Sequence, residues 1–381
     1  NVPSPDVTVD WCSSCGLCTT ACPADVKIAE INSRARAEMK ARHRARFRDW
    51  LLGQTDLVGR MGVAFAPIAN WTLHNRPIRW LIEKVVGIHR SAPLPLFAGR
   101  TLGAELKRSG EGIRGADPAD EPPPDRAVVY FHGCAANYYE PRVALAAIEV
   151  LRRNGFETIV PEQVCCGLPL ISNGLYDHAR RRAQGNLPRL ADYARRGYRI
   201  VGTSTSCTLT IKEEAPDLLD EHDEDSRLVG SHTYDIHEFL LDLAARGELT
   251  GWREIPMRLP YHPPCQYRAH RLGIPAREVL DLVPGLEVVE SGAACCGIAG
   301  TYGYKEEKYR IAMDVGRPLF EFVEREGAPV VACDSETCRW QITHGTGVDS
   351  IHPLEVVAAS LGVEVEGPLA VALREVFAAR G

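Results

Sequence analysis

Cys165-Cys166-Gly167 lies near the middle of the chain, and Cys295-Cys296-Gly297 repeats the same three residues further on. Each triplet has one cysteine upstream and one downstream at matching distances, so the two copies share four matched thiols. The offset between the copies is about 130 residues throughout, which indicates two copies of one structural unit. The candidate metal ligands are Cys134, Cys165, Cys166 and Cys207 in the first copy and Cys265, Cys295, Cys296 and Cys338 in the second.

A third group of cysteines stands near the start, where residues 11–23 read Trp-Cys-Ser-Ser-Cys-Gly-Leu-Cys-Thr-Thr-Ala-Cys-Pro. Cys12, Cys15, Cys18 and Cys22 have the C-x2-C-x2-C-x3-C-P spacing of bacterial ferredoxins, which bind a 4Fe–4S cluster. Zinc is the alternative, although zinc sites usually divide their ligands into two well-separated pairs. The run therefore predicts a 4Fe–4S cluster.

The role of Cys22 depends on what precedes the chain. In two-cluster ferredoxins the fourth cysteine of each run binds the neighbouring cluster. We therefore expect a second run upstream of Asn1, with Cys22 serving the cluster of that run. In the alternative, Cys22 closes a single cluster with Cys12, Cys15 and Cys18.

The composition argues against some classes of function. The formal net charge of −6 over 381 residues does not fit a general nucleic-acid-binding protein. Apolar residues make up 45% of the chain, enough for the cores of two or three domains. No uninterrupted apolar run approaches the ~18 residues of a membrane span. The thirteen cysteines are expected to be reduced thiols that hold metal, and not disulfides.

Residues 24–100 are expected to face a membrane surface or a partner subunit. The helical pattern over 24–52 is strongly basic, and 53–100 mixes prolines with tryptophans in short amphipathic pieces. Such segments bind anionic membrane surfaces, in a salt-sensitive way, or acidic partners. A solvated helix face is the remaining alternative. The basic residues are Arg34, Arg36, Lys40, Arg42, Arg44, Arg46 and Arg48.

Within each copy, strand-like runs of four or five apolar residues alternate with helical patterns, which predicts parallel sheets. Ligands collect at the carboxyl ends of parallel strands, so the cysteines that follow strands should converge there. The predicted fold class is α/β, with two pseudo-symmetric Cys-Cys-Gly repeats preceded by a helical ferredoxin-like segment. The predicted domains are 1–52 (ferredoxin-like segment and basic helix), 53–125 (amphipathic connector and proline-rich linker), 126–250 (first repeat) and 251–381 (second repeat).

Two further expectations concern helices in the repeats. Proline removes a backbone donor and clashes with the preceding turn. The helical stretches that begin near Tyr176 and Tyr304 should therefore break at Pro188 and Pro318. The chain should close with a helix over 354–361 and a polar tail beyond it.

Several side chains near the repeats have more than one interpretation. Four thiols per copy suit a 4Fe–4S cluster, whereas zinc in one copy, a disulfide or buried structural cysteines are the alternatives. Cys333 aligns with Gly202 and is interpreted as a non-ligand, with assistance to the second site as the alternative. His132 and His262 are either donors to cluster sulfurs or caps of strand ends. The aromatic loop 300–305 is either a contact for a substrate or quinone or an ordinary glycine hinge.

Together these residues resemble a known family. The Cys-Cys-Gly copies are similar to the cysteine-rich domains of heterodisulfide reductase and its relatives. Over nearly its full length the chain resembles the C subunits of anaerobic glycerol-3-phosphate dehydrogenase. The stretches that carry the resemblance are Ala21-Cys-Pro-Ala-Asp-Val-Lys, Thr55-Asp-Leu-Val-Gly, Phe65-Ala-Pro-Ile, Cys165-Cys-Gly-Leu-Pro-Leu-Ile, Cys295-Cys-Gly-Ile-Ala-Gly-Thr-Tyr-Gly and Glu336-Thr-Cys-Arg-Trp-Gln-Ile.

The resemblance implies a non-catalytic iron–sulfur subunit that takes electrons from flavin-containing dehydrogenase subunits. It would pass them to membrane quinone and tether the complex to the cytoplasmic face of the inner membrane. The family often has C-x2-C at the end of each repeat, where this chain has Ser204 and Ser335 as the first member. This departure argues for ordinary four-thiol clusters. The alternatives are a heterodisulfide-reductase-like thiol/disulfide reductase, the iron–sulfur subunit of a lactate or glycolate oxidase, and a zinc-stabilised scaffold.

Overall fold

The computed structural model describes residues 9–24, 26–43, 45–110 and 121–378. Most of the predicted proline-rich linker, residues 111–120, lies outside the described residues. Short helices form the part of the chain that precedes the first repeat. They are α1 (Leu17–Thr20), α2 (Ile28–Arg42), α3 (Phe47–Gly53), α4 (Thr55–Ala64), α5 (Ala66–His74), α6 (Arg76–Val86) and α7 (Leu102–Ser109).

The two repeats have the same sheet architecture. Each contains a parallel four-stranded sheet, with the order β2-β1-β3-β4 in the first repeat and β6-β5-β7-β8 in the second. The matching order confirms the predicted α/β class and the pseudo-symmetry. The strands are β1 (Ala127–Tyr130), β2 (Glu157–Ile159), β3 (Arg199–Gly202), β4 (Thr233–Asp235), β5 (Arg258–Tyr261), β6 (Glu287–Glu290), β7 (Val330–Ala332) and β8 (Asp349–Ile351).

Helices connect these strands, as parallel pairing requires. In the first repeat they are α8 (Ala135–Tyr138), α9 (Pro141–Arg153), α10 (Leu168–Ser172), α11 (Tyr176–Arg195), α12 (Thr205–Leu209), α13 (Ala215–Leu219), α14 (Glu224–His232) and α15 (Ile236–Ala245). In the second repeat they are α16 (Cys265–Ala269), α17 (Pro275–Leu280), α18 (Tyr309–Glu326), α19 (Glu336–Thr346), α20 (Pro353–Ser360) and α21 (Pro368–Ala378).

A single hydrophobic core joins the two repeats. Strand β1 is completely buried along its length, as expected for a strand covered by helices on both faces. Val128 and Tyr130 of this strand belong to the same apolar cluster as Leu259 and Ile351 of the second repeat. A buried ion pair between Arg339 and Glu140 also crosses between the repeats. The two sheets therefore pack as one unit, which fixes their cysteine sets relative to each other.

The basic stretch before the repeats is divided between the interior and the surface. Arg34, Arg42 and Arg46 are exposed, whereas Arg36, Arg48 and most of Lys40 turn inward, which corrects the expectation of a surface-facing stretch for these three residues alone. Arg36 is 5% exposed and donates to the carbonyl oxygen of Ser172 at 2.8 Å. Arg48 is 6% exposed and forms a two-pronged pair with the carboxylate of Glu307 at 2.7 and 2.8 Å. Buried guanidinium groups need such partners. These residues therefore dock the N-terminal segment onto both repeats, whereas Arg44 lies outside the described residues.

The exposed apolar surface lies instead on α4, α5 and α6. We call it the connector face, and its side chains are 45% to 76% exposed. No helix among the described residues is long and apolar enough to span a membrane. The residues of the connector face are Leu57, Met61, Phe65, Ile68, Trp71, Trp80, Leu81 and Val85.

Two helix expectations were wrong. Helices α11 and α18 run through Pro188 and Pro318 without a break. Burial of the side chains beside the proline, such as Leu319 and Phe320, holds α18 together despite the missing hydrogen bond. The supposed polar tail contains the helix α21, which buries Leu369.

Asp49 supplies the first testable prediction, because its carboxylate lies between two lysines at the junction of α3 and the second repeat. It is 2.8 Å from Lys40 and 2.9 Å from Lys305. Burial would raise the pKa of Asp49, but the lysines outweigh burial and lower it to about 2. Since the folded pKa lies below the ordinary 3.8, the pair stabilises the protein above about pH 4. This stabilisation is lost as the pH falls from 4 towards 2.

We expect Asp49→Asn to lower the free energy of unfolding at pH 7 by about 1–3 kcal/mol, because it leaves buried charges unpaired. Denaturant titrations from pH 7 to pH 3 would measure this difference, which should shrink with acidification. Asp177→Asn is the control, since Asp177 pairs with Arg180 at an 88% exposed position. Equal unfolding midpoints for Asp49→Asn and the wild type would contradict the prediction.

Candidate metal centres

The four thiols of the first repeat are in contact with one another. Cys134 is hydrogen-bonded to Cys165, Cys165 to Cys166, and Cys166 to Cys207. These contacts raise the pKa of the Cys134 and Cys166 thiols and lower the pKa of Cys165. Residues more than 70 positions apart are thus brought together within a single set of sulfur atoms.

The second repeat has the same arrangement. Cys265 is hydrogen-bonded to Cys295, and the Cys296 thiol donates to the sulfur of Cys338 at 2.8 Å. Hydrogen bonds from Cys265 and Cys296 lower the pKa of Cys295 to about 3. The four sulfur atoms form a second connected set, as the matched sequence register predicts.

The topology explains why the sulfurs converge. Cys134, Cys207 and Cys338 each follow the carboxyl end of a central strand, and the ends of neighbouring parallel strands meet at one edge. Cys207 and Cys338 lie in the first turns of α12 and α19. The partial positive charge at a helix N-terminus favours a thiolate there. Parallel pairing therefore assembles both sets without any local sequence contact between their members.

The residues present fit an iron–sulfur cluster in each repeat. All four candidate ligands are sulfur, which suits iron–sulfur clusters and also zinc. His262 is buried and its Nε2 has no hydrogen-bond partner among the described residues. The ring interacts electrostatically with Cys295 and Cys338, so it lies near these sulfur atoms. A free donor held beside thiolates can hydrogen-bond to the sulfurs of a bound anionic cluster.

His132 and His262 occupy matching positions in the two repeats, but their rings have different hydrogen-bond partners. The Nδ1 atom of His262 contacts the hydroxyl of Ser291 at 2.9 Å, which leaves Nε2 for the sulfurs. The Nδ1 atom of His132 contacts the neighbouring carbonyl oxygen of Gly133 at 2.6 Å. The geometry thus matches a donor to cluster sulfurs at His262 and a strand-end cap at His132.

Cys333 contacts the second site, although its counterpart in the first repeat, Gly202, has no thiol. It is fully buried, and a hydrogen bond links its thiol to Cys338. Burial, followed by this contact, raises the pKa of the Cys333 thiol. A neutral thiol next to a thiolate ligand can support it without binding the metal. Cys333 remains interpreted as a non-ligand.

Sequence reasoning missed three polar contacts at the first site. The carboxylate of Asp56 accepts the backbone N–H of Cys165 at 3.0 Å and pairs with Arg182 at 2.8 Å. The hydroxyl of Ser204 donates to the buried carboxylate of Glu336 in the second repeat at 3.1 Å. Asp56 could have been found from the sequence, because it belongs to Thr55-Asp-Leu-Val-Gly, one of the stretches that carry the family resemblance. Ser204 was noted only as a missing thiol.

The ferredoxin run lies beside the second site. Cys15 and Cys265 are close enough to interact electrostatically, and helix α1 packs on α16. The sulfur of Cys12 accepts hydrogen bonds from the backbone of Ser14 at 3.4 Å and from Asn32 at 3.6 Å. Cys18 is exposed, and Cys12, Cys15 and Cys22 are partly buried. Whether Cys22 completes this cluster stays a prediction.

Cysteines of all three groups line one cavity of about 690 Å³. Its other wall comes from apolar side chains of the connector, including Val58, Ile82 and Val86. Electrons could pass between neighbouring clusters in such a space and stay within the protein. The cysteines that line it are Cys15, Cys134, Cys166, Cys207, Cys265, Cys295, Cys296 and Cys338.

Comparisons with known proteins agree with this arrangement. A model of the family described as CCG, cysteine-rich domain, matches residues 128–212 and 259–343. The C subunit of the anaerobic glycerol-3-phosphate dehydrogenase of Escherichia coli (strain K12) is 33% identical over 341 residues. That alignment covers 89% of this chain and 83% of the relative.

Two further relatives are less similar to this chain. The B subunit of the fumarate reductase (CoM/CoB) of Methanothermobacter marburgensis is 28% identical, over 69% of this chain and 52% of that protein. The D subunit of the dihydromethanophenazine:CoB–CoM heterodisulfide reductase of Methanosarcina acetivorans is 24% identical, over 94% of this chain and 79% of that protein. The similarity extends across both repeats and supports iron–sulfur clusters in a redox role.

Proposed function

The chain belongs to the family of anaerobic glycerol-3-phosphate dehydrogenase C subunits, with two cysteine-rich domains, and from that premise we propose how it works. It relays electrons from flavin-containing dehydrogenase subunits, with glycerol 3-phosphate as the substrate, to membrane quinone. It also tethers the complex to the cytoplasmic face of the inner membrane. Clusters bound by the eight repeat cysteines and by the ferredoxin run carry the electrons.

The observation that carries this proposal is the shared cavity of the three cysteine groups. Cys15 lies next to Cys265 of the second set. Tyr304 interacts electrostatically with Cys134 of the first set and Cys296 of the second, so the two sets are neighbours. Three clusters held in this way form a continuous path for electrons. A zinc scaffold has no need to bring its sites so close together.

A thiol/disulfide reductase finds less support. The extra thiol that the family often places before the last ligand is absent, because Ser204 and Ser335 occupy those positions. Ser204 is engaged with Glu336, and the hydroxyl of Ser335 contacts Thr337 at 3.3 Å. Neither position offers sulfur to a cluster or to a substrate disulfide. We therefore favour one-electron relay over disulfide chemistry.

Membrane attachment is proposed to use the connector face. Trp71 and Trp80 are exposed there, and tryptophan side chains favour the headgroup level of a bilayer. Exposed Arg60, Arg76 and Lys84 flank the apolar side chains and can contact anionic headgroups. The buried Arg36 and Arg48 cannot take part in this contact.

We expect the triple variant Phe65→Ser, Trp71→Ser, Trp80→Ser to abolish flotation with vesicles that contain anionic phospholipid. The three side chains supply much of the apolar surface that would enter the bilayer. High salt should weaken wild-type binding only in part, because it screens the flanking charges alone. Phe377→Ser, at a 49% exposed position on α21, is the control and should float like the wild type. Flotation of the triple variant at wild-type levels would rule out this surface.

Anaerobic purification of the tagged chain from its host tests the relay as a whole. We expect iron and acid-labile sulfide in equal amounts and copurified subunits that contain flavin. Zinc without sulfide would support the scaffold, and reduction of disulfides by the isolated chain would support the reductase.

A further inference from the structure

Tyr304 is a buried phenol without a partner at the edge of the shared cavity. It is 5% exposed, and its hydroxyl forms no hydrogen bond with any residue that the structure describes. Its side chain lines the cavity. An unsatisfied buried hydroxyl is costly and calls for an explanation, and a ligand that accepts its hydrogen bond supplies one.

The backbone holds Tyr304 firmly in this position. The N–H of His89 donates to the carbonyl oxygen of Tyr304 at 2.8 Å, and Ile88 forms an isolated bridge with Lys305. The N–H of Glu306 donates to the carbonyl oxygen of Gly87 at 2.9 Å. These contacts fasten the aromatic loop of the second repeat to the end of α6. The phenol therefore stands where the connector wall meets the second cysteine set.

The cavity around this hydroxyl suits a flat, apolar ring. Its connector wall is aliphatic, from Ile82, Val86 and Leu94. Tyr139 and Trp340 also line it, with their rings edge to face at a centroid distance of 5.6 Å. Cys296 also lines the cavity and lies close to Tyr304. Apolar pockets with few polar groups bind small, largely hydrophobic ligands that the polar groups orient.

A lipid-soluble ligand would have a short path to this cavity. Helices α4 and α6 expose Leu57, Leu81 and Val85 on the connector face and turn Val58 and Ile82 towards the cavity. The cavity and the apolar surface are thus separated by a single layer of helices. A molecule dissolved in a bilayer beneath the connector face would need to cross only this layer.

We propose that the part of the cavity between the connector wall and Tyr304, beside the space that the clusters take, binds the ring of a quinone and that the Tyr304 hydroxyl donates a hydrogen bond to one of its carbonyl oxygens. The inference rests on the proposed relay to quinone and assigns the place where the relay ends. Conversion of the ring to the quinol takes two electrons, delivered singly from the clusters, and two protons from water. The Tyr304 hydroxyl acts only as a hydrogen-bond donor, and its proton is not one of the two that the ring takes up.

Binding of duroquinone to the oxidised, cluster-loaded protein tests the site without turnover. Duroquinone carries a methyl group at every free ring position, so addition to the ring of any cysteine thiol released from a lost cluster is suppressed. Equilibrium dialysis should give saturable binding to the wild type and a Kd about fivefold to tenfold higher for Tyr304→Phe. Tyr302→Phe is the matched control, because Tyr302 lies in the same turn but faces Lys308 and not the cavity.

Iron content and visible spectra of Tyr304→Phe should equal those of the wild type, because phenylalanine keeps the ring and removes only the hydroxyl. Equal duroquinone affinity of Tyr304→Phe and the wild type would overturn the assignment of Tyr304. Absence of saturable binding to a wild type that still passes electrons to quinone in the complex would overturn the site and leave the relay intact. Failure of both binding and electron transfer would instead contradict the proposed function.

Discussion

Cys296→Ser is expected to remove about four iron atoms from each chain, and Cys166→Ser is expected to remove the same number from the other repeat. Both sulfurs are buried in the middle of their thiol sets, where Cys296 contacts Cys338 and Cys166 contacts Cys207. A serine hydroxyl is a much poorer ligand than a thiolate for iron in these clusters. Iron and sulfide analysis of anaerobically purified protein measures the loss.

Cys333→Ser provides the control for these two variants. Cys333 is as deeply buried as the proposed ligands and touches Cys338, yet it belongs to neither four-thiol set. Its replacement should leave the iron content unchanged. Full iron in both Cys166→Ser and Cys296→Ser would refute the ligand assignment. Iron loss in Cys333→Ser would make Cys333 a fifth ligand of the second site.

Gly297→Ala should prevent normal packing of the second site. A β-carbon at this position would lie 1.9 Å from the carbonyl oxygen of Ala312, which is backbone and cannot rotate away. The φ angle of +89° adds the strain that a side chain meets in the left-handed region. Overpacking and backbone strain together should lower the free energy of unfolding by about 3–5 kcal/mol. Denaturant unfolding of the cluster-loaded protein gives this value.

Gly167→Ala offers a control that the pseudo-symmetry supplies. Gly167 occupies the matching position with a φ of +96°, but a β-carbon there would meet its nearest neighbour at 3.5 Å. It should suffer only the backbone strain, about 1–2 kcal/mol. A similar loss of stability in the two variants would show that the close contact at Ala312 is not decisive.

The central strands could be predicted because each is a short apolar run before a cysteine. The runs that begin at Ala127, Arg199 and Arg258 all form strands that pair in parallel, as predicted, whereas the order of the strands was not predicted. The edge strands β4 and β8 were missed, since each has only three residues and includes polar ones. Each ends directly at a helix with a capping box, so its local sequence also carries a helix-start signal.

The inward turn of Arg36 and Arg48 could not be predicted from local sequence. Arg48 is neutralised by Glu307, which lies 259 positions away, and Arg36 is satisfied by a carbonyl oxygen of Ser172. Composition alone makes such residues look like a membrane-binding surface. The helix α21 is different, because apolar residues recur at helical spacing in Leu369 and Ala372, and this signal was present in the sequence.

The sequence pointed to the aromatic loop 300–305 as a possible ligand contact, but it did not show which residue of the loop would make that contact. Tyr302 and Tyr304 look equivalent in the sequence, yet only Tyr304 lines the cavity. The distinction arises because Ile88 and His89 fasten the loop to the connector. A contact between segments more than 200 residues apart decides which phenol faces the cysteines.

Double-mixing, anaerobic stopped-flow spectroscopy of the complex with its flavin-containing subunits tests the central claim most directly. The first mix adds glycerol 3-phosphate, and the second adds duroquinone. We predict that the visible absorption of the clusters falls after the first mix and recovers after the second, and that Cys296→Ser blocks the recovery. Clusters that stay oxidised while the flavin passes electrons to duroquinone at the same rate would contradict the claim that this chain is the relay.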